Sequence, residues 1–294
     1  MKVLLTGGSG FIGRNLVEQL PKDILVLAPS SRELDLTDQD AVERYVRSER
    51  FDLVIHAANW NPTANSKKDV GMVLENNQKM FFNLARLEDH YGKIIVIGSG
   101  AEYDRRFYRP RMKEDHFDRH VPIDQYGYSK YVMAKQVAKM KNAVDLRVFG
   151  CFGPYEDWEI RFISNAMCKA LYGLPITLRQ NVFFDYIWVN DLVRIIDHVA
   201  RKDMRERHYN ACTGQVIDLV SIAHMINELA GTNVPIMVGA EGLKPEYSGD
   251  NSRLMGEVGG FQFTPLPVAL SSLLEFYKHH LDEIDRDLLL NDKH

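Results

Sequence analysis

The chain has 294 residues, 36 Lys and Arg against 40 Asp and Glu, a net charge of −4 and 45% hydrophobic residues. That is enough chain for one large α/β domain or two smaller ones with a sizeable core, and the mild negative balance speaks against a general nucleic-acid binder. Cys151, Cys168 and Cys212 are far apart and give neither metal-ligand spacing nor a disulfide framework, and no apolar run reaches the length of a bilayer span or a signal peptide, so a reduced, cytoplasmic, metal-free protein off the membrane is expected.

The first element is the apolar run Val3-Leu4-Leu5, read as a buried strand. It runs into Thr6-Gly7-Gly8-Ser9-Gly10-Phe11-Ile12-Gly13 and then an amphipathic helix carrying Leu16, Val17 and Leu20. Between a strand and a helix each glycine has its own task. Gly7 permits the tight turn, Gly10 lets a pyrophosphate approach the backbone, and Gly13 lets the helix pack close to the strand. The amides at the helix start and the helix dipole then face the phosphates. Ser9, Phe11 and Ile12 complete this candidate dinucleotide loop.

Ile24–Leu27 reads as a second buried strand, Leu53–Ile55 as a third, Ile94–Ile97 as a fourth and Val144–Phe149 as a later one; helical patterns fill about 39–48, 71–89 and 125–141. This alternation implies a doubly wound parallel sheet with nucleotide bound at the carboxyl ends of its strands. After Pro154 the rhythm changes. A helix is expected over Arg161–Leu171, short strands over 176–178 and 182–188, and a helix capped by Asn190 or Asp191 that runs to about Ala200. Further helices fit Val220–Ala230 and Leu266–Leu281, and the charged tail beyond is expected to fray. The implied division is a dinucleotide-binding domain over 1–154 plus about 181–205, and a smaller α/β substrate-binding domain over 155–180 and 206–294.

Tyr126 and Lys130 are four residues apart on an expected helix and so share a face. A free phenol has a pKa of about 10, and a neighbouring ammonium favours the ionised form. Such a tyrosine can give a proton to a carbonyl oxygen or take one from an alcohol, and the lysine carries donors for a ribose hydroxyl. Tyr131 and Lys135 have the same spacing but face elsewhere, because five residues turn a helix by about 140°. Tyr126 is preferred: Pro122 lies just before it, and Gly98-Ser99-Gly100-Ala101 at the end of the fourth strand offers Ser99 as a partner on the same substrate oxygen.

Together these motifs resemble the extended short-chain dehydrogenase/reductase family, and within it the nucleotide-sugar epimerase and reductase branch, which implies a Rossmann-type sheet. His56-Ala57-Ala58 resembles the family's segment beside the cofactor, with Ala57 and Ala58 as contacts, and of Asn76-Asn77 the resemblance selects Asn77 as the cofactor-ordering asparagine. It implies Ser99, Tyr126 and Lys130 as the catalytic set. Leu146–Pro154, containing Phe149, Gly150 and Cys151, resembles the stretch that closes over nicotinamide, and Phe184–Asp191 a later landmark. Departures matter too. Phe184 stands where the family has an arginine for the substrate diphosphate, which leaves Arg161, Arg179 and Arg253 as candidates. Gly150 replaces an asparagine that touches substrate. Ser99-Gly100-Ala101-Glu102-Tyr103 lacks the acidic pair of the dehydratases, and Ala101 stands where epimerising reductases carry a cysteine; Ser99, Gly100 and Ala101 remain expected substrate contacts.

The strand end Leu27-Ala28-Pro29-Ser30-Ser31-Arg32 carries no acid at the place that suits NAD. Ser30, Ser31 and Arg32 offer hydroxyls and a guanidinium to a 2′-phosphate; with Asp35 and Leu36 at the adenine, the stretch is similar to that of NADPH-using GDP-fucose synthases. NADP(H) is favoured over NAD(H). The expectation is an NADPH-dependent reductase of a nucleotide-linked 4-keto-6-deoxy sugar; a 4-epimerase with resident NAD and a non-catalytic dinucleotide sensor remain alternatives. The resemblance also implies a homodimer. The loop carrying Arg105, Arg106, Arg109, Arg111 and Lys113 is read as solvated, with a place at the substrate mouth, where it would attract a diphosphate, as the alternative.

Overall fold

The computed structural model describes residues 1–60 and 68–290. In chain order the first half gives β1 (Lys2–Thr6), α1 (Phe11–Gln19), β2 (Leu25–Leu27), α2 (Gln39–Glu49), β3 (Phe51–His56), α3 (Val73–Ala85), β4 (Tyr91–Ser99), α4 (Gln125–Val137) and β5 (Ala143–Val148). The second half gives β6 (Gly150–Phe152), α5 (Phe162–Leu171), β7 (Ile176–Asn181), β8 (Phe183–Phe184), β9 (Tyr186–Trp188), α6 (Val189–Arg201), β10 (His208–Ala211), β11 (Ile217–Asp218), α7 (Leu219–Ala230), β12 (Ile236–Leu243), α8 (Ser252–Val258), α9 (Leu266–His279) and α10 (Arg286–Leu290).

Six parallel strands form the central sheet in the order β10-β5-β4-β3-β1-β2. Their runs of Val, Ile and Leu are apolar throughout because both faces are covered. Leu5, Ile55, Ile95 and Leu146 pack with Leu16 of α1 and Leu192 and Ile196 of α6 on one face. Leu4, Val54, Ile94 and Val96 pack with Val42 of α2, Phe81 of α3 and Met133 of α4 on the other. The chain reverses direction across the sheet between β1 and β3, so their carboxyl ends frame the crevice where such sheets bind ligands. A smaller unit follows, in which α5, α7 and α9 bury Met167, Ile222 and Leu273 against β7.

Four expectations need correction. β2 is an edge strand and Leu25 is 59% exposed, since only β1 pairs with it. Trp188 precedes α6 without a side-chain cap, and Asp191 instead accepts from the Thr264 backbone N–H at 2.8 Å and hydroxyl at 2.9 Å. Residues 208–211 return to the large sheet beside β5, and α8 packs there through Leu254, so that part of 206–294 belongs with the large sheet. The tail does not fray through 290: Ile284 and Leu289 are buried in the smaller core. Residues 291–294 lie outside the described residues.

Candidate active site

A cleft of about 1240 Å³ runs along the carboxyl ends of the strands, bounded by the glycine-rich loop, the end of β4, α4 and the smaller unit. Single-ligand pockets typically run to roughly 300–1,000 Å³, so this one has room for a cofactor and a substrate together. At one end Gly10 precedes α1 in extended conformation without a side-chain cap, which leaves the first helical amides for a ligand. Gly7 has φ +75°, and a Cβ there would lie 2.7 Å from the Ala58 backbone. A Cβ on Gly13 would lie 2.0 Å from the Gly7 carbonyl oxygen. The loop is therefore folded against β3 and α1 as closely as backbone allows. Ser9, Phe11, Ile12, Ala57 and Ala58 line the wall, and the buried Oδ1 of Asn59 beside them has no hydrogen-bond partner among the described residues. These bare amides, side-chain-free approaches and an orphan acceptor fit a dinucleotide.

Beyond the end of β2, Ser30, Ser31, Asp35 and Leu36 line the cleft, and Arg32 does not. The Ser30 N–H donates to Glu33 Oε2 at 2.8 Å, which holds the Glu33 carboxyl below its ordinary range. Asn77 stands behind the wall rather than on it: its side chain accepts from Trp60 N at 2.7 Å and donates to Trp60 O at 3.1 Å, fixing the segment after β3.

The reacting end is built on β4 and α4. Asp124 accepts from Gly127 N at 2.8 Å and caps α4, so Tyr126 and Lys130 leave its first turns toward the end of β4. Ser99, Tyr126 and Lys130 all line the cleft. Lys130 is buried, donates to the Ile97 carbonyl at 2.8 Å and holds its ammonium 6.0 Å from the Tyr126 ring centroid. The competing pair is occupied elsewhere: the Tyr131 hydroxyl donates to Asp118, and Lys135 pairs with the same carboxylate at 2.6 Å. Gly100 and Ala101 are not on the wall. The Gly100 carbonyl accepts from the Tyr108 hydroxyl at 2.8 Å, a Cβ on Gly100 would lie 2.5 Å from the Tyr247 hydroxyl, and Ala101 is buried.

Toward the smaller unit Phe149, Gly150, Arg161, Arg179 and Lys244 line the cleft. Arg253 is withdrawn from it, since its guanidinium pairs with Asp115 at 2.9 Å and lies 3.9 Å from Glu114. Arg105 and Tyr108 of the basic loop reach the cleft wall, in keeping with the alternative reading of that loop. Phe184 stacks on Tyr186 with centroids 5.1 Å apart and meets Tyr247 at 5.2 Å, so this wall is aromatic where a cation was the alternative. Buried Glu156 accepts from the Ser164 hydroxyl at 2.6 Å, and burial pushes its carboxyl up to about 8.

The model of the NAD dependent epimerase/dehydratase family matches residues 3–212. The chain belongs to that family. Among relatives of this family, GDP-6-deoxy-D-talose 4-dehydrogenase of Aggregatibacter actinomycetemcomitans is 25% identical over 305 residues, covering 97% of this chain and 99% of that protein. Two solved structures share the fold. One is a GDP-L-fucose synthetase from Naegleria fowleri bound to NADP (TM-score 0.82, 18% identity, 96% of this chain and 93% of that one). The other is UDP-glucose 4-epimerase of Thermus thermophilus in complex with NAD (TM-score 0.79, 24% identity, 95% and 99%). The family's reductases and epimerases, and both dinucleotides, are thus represented among proteins built like this one. No helix among the described residues is long and apolar enough to cross a membrane.

Against the family motif, the structure adds residues that local spacing did not reveal. Glu102, next but two to Ser99, is buried; its Oε1 accepts from Ser99 N at 2.9 Å and its Oε2 from Arg147 Nε at 2.6 Å. Asp145 lies 3.2 Å from the same Nε and 3.1 Å from His208 Nδ1. Burial raises the Glu102 and Asp145 carboxyls, and Asp145 adds to the rise at Glu102. Tyr108 and Tyr247 roof the Ser99–Gly100 turn with centroids 5.3 Å apart, and burial raises both phenols. The Arg-rich composition of its loop was the one signal for Tyr108; Tyr247 had none.

Proposed function

We propose that the protein is an NADPH-dependent reductase of a nucleotide-linked 4-keto-6-deoxy sugar. The observation that carries this reading is the convergence of Ser99, Tyr126 and Lys130 on one cleft, between a dinucleotide cradle and a wall bearing Arg161, Arg179 and Lys244. The full-length likeness to a 4-dehydrogenase of a GDP-6-deoxy sugar supports the substrate class. The glycine-rich loop and the α1 amides would hold the pyrophosphate, and Lys130 the nicotinamide ribose. Reduced nicotinamide, when bound, supplies the hydride that converts the keto carbon to an alcohol. Tyr126 gives its phenolic proton to the oxygen of that carbon, and Ser99 Oγ donates a hydrogen bond to the same oxygen. The buried Lys130 ammonium stabilises the negative charge left on the Tyr126 oxygen. The arginines and Lys244 receive the diphosphate of the substrate.

The test is NADPH oxidation with GDP- and dTDP-linked 4-keto-6-deoxy sugars as substrates. Tyr126→Phe should lower turnover by about a thousandfold or more while leaving the NADPH dissociation constant within about threefold. Tyr131→Phe should keep nearly full activity. Undiminished turnover in Tyr126→Phe rules the assignment out.

One observation favours a second reading, a nucleotide-sugar 4-epimerase with resident NAD. The Glu33 carboxylate sits on the Ser30 amide that a 2′-phosphate would use, and an acid suits a ribose diol better. Mass analysis of dinucleotide released on denaturation separates the two: near-stoichiometric NAD supports the epimerase, and an empty protein that prefers NADPH supports the reductase.

A further inference from the structure

The turn that leads from β6 into the smaller unit seats a residue that does not suit it. Glu156 N–H closes on the Gly153 carbonyl at 3.2 Å, Pro154 is second in the turn, and Tyr155 is third with φ +69°. Proline second and a positive φ third describe a type II turn, whose third position belongs to glycine or asparagine. A tyrosine there is strained and persists only where its surroundings hold it. Those surroundings lie on α1. The Tyr155 hydroxyl donates to Glu18 Oε1 at 2.8 Å, and the Arg14 guanidinium lies over the ring, 5.2 Å from its centroid. Phe276 of α9 meets the ring edge-on at 5.2 Å. Arg14 Nε in turn donates to the Ser9 carbonyl at 3.1 Å, inside the glycine-rich loop.

The turn does not need this ring to stay attached, because Asn15 Nδ2 already donates to the Pro154 carbonyl at 2.9 Å. What the ring adds is a stretch of cleft wall and a hold on Arg14. We propose that Tyr155 is a positioning residue for the dinucleotide: it forms cleft wall beside the glycine-rich loop, and it holds Arg14, which bonds that loop at the Ser9 carbonyl without lining the cleft itself, as a longer-range counter-charge for a pyrophosphate. The inference rests on the dinucleotide reading of the cleft and is independent of the sugar.

The experiment compares wild type, Tyr155→Asn, Tyr155→Phe and Arg14→Gln. Each is titrated with NADPH and with NADH by protein fluorescence, the off-rate is measured by stopped-flow displacement, and Tm is recorded without ligand. Asparagine accepts the positive φ, so Tyr155→Asn should keep its Tm yet bind the preferred dinucleotide about tenfold more weakly, chiefly through a faster off-rate. Tyr155→Phe keeps the ring and the Arg14 stack, and should stay within about threefold of wild type. Arg14→Gln should match Tyr155→Asn, and the double variant should lose little more than either single one. Affinity within about twofold of wild type in both Tyr155→Asn and Arg14→Gln overturns the proposal. So does a loss that follows Tm and appears equally in Tyr155→Phe, which marks a structural tie. Should Tyr155→Asn fail to fold, Arg14→Gln decides alone. A wild-type protein that binds neither dinucleotide refutes the cofactor reading itself, and this proposal with it.

Discussion

A methyl group at residue 13 would stand 2.0 Å from the Gly7 carbonyl oxygen, with the Gly7 carbonyl carbon and Gly8 Cα both at 2.8 Å. All of these are backbone atoms, so relief requires moving the loop whose amides face the cleft. Gly13→Ala should therefore cost about 1–3 kcal/mol in stability and weaken dinucleotide binding by about tenfold or more, read by thermal denaturation and by NADPH and NADH titration. A variant that loses stability but binds normally would separate loop geometry from ligand. This residue, like Ser99, Tyr126 and Lys130, was legible in the sequence because its constraint is local: a glycine at a fixed interval after a strand, or a pair on one helix face. Tyr247 was not, since it meets Ser99 and Gly100 only after the chain has folded back from the smaller unit. Arg253 was misplaced for the same reason, since Asp115, far away in sequence, claims its guanidinium.

Among elements, the seam between the two units depends on the short segment that β8 and β9 flank. Asp185 is fully buried there, and one of its oxygens accepts from Thr213 N at 2.8 Å and Thr213 Oγ at 2.7 Å. Its other oxygen accepts from Gly214 N at 2.7 Å. These bonds hold the loop that follows β10, the last strand of the large sheet, against the smaller unit. Asp185→Ala leaves two part-buried backbone donors unmet, which should cost about 1–3 kcal/mol. Chemical denaturation measures this; a loss below about 0.5 kcal/mol would show that water satisfies both donors. The strands of the large sheet were readable because their continuous apolar runs have few other homes. The return of His208–Ala211 to that sheet was not. Only Tyr209 and Ala211 in that strand are apolar, and its place is decided by pairing with β5 rather than by its own pattern. Asp191 showed the same limit: its position suits a cap, but Thr264 from a distant segment takes both its oxygens.

For the whole molecule, buried ionisable groups make stability depend on pH in opposite directions. His56 is fully enclosed and burial, with the Lys130 ammonium beside it, pulls its pKa from 6.5 to about 3. Burial and then Arg147 pull His208 from 6.5 to about 4. Both stay neutral in the fold, so the unfolded chain binds more protons below 6.5 and stability falls as the pH drops from there toward those values. Glu156 works the other way. Burial raises it from 4.5 to about 8 despite the Ser164 hydroxyl and the nearby Arg161, so the folded chain keeps a proton that the unfolded chain has released. Its contribution is whole below 4.5 and is lost as pH rises through about 8. Glu102 shifts in the same direction through burial and Asp145. Glu156→Gln removes the titration while keeping an acceptor for Ser164. Between about pH 5 and 9 the Tm of wild type should therefore fall relative to this variant by an amount equivalent to a few kcal/mol, with the acid limbs of the two curves parallel. Curves parallel across the whole range would mean that Glu156 titrates alike folded and unfolded. Because Glu156 lines the cleft between Arg161 and the turn bearing Tyr155, the same ionisation adds a negative charge beside the proposed substrate diphosphate site. Above about pH 8, nucleotide-sugar affinity should accordingly weaken in wild type and not in Glu156→Gln.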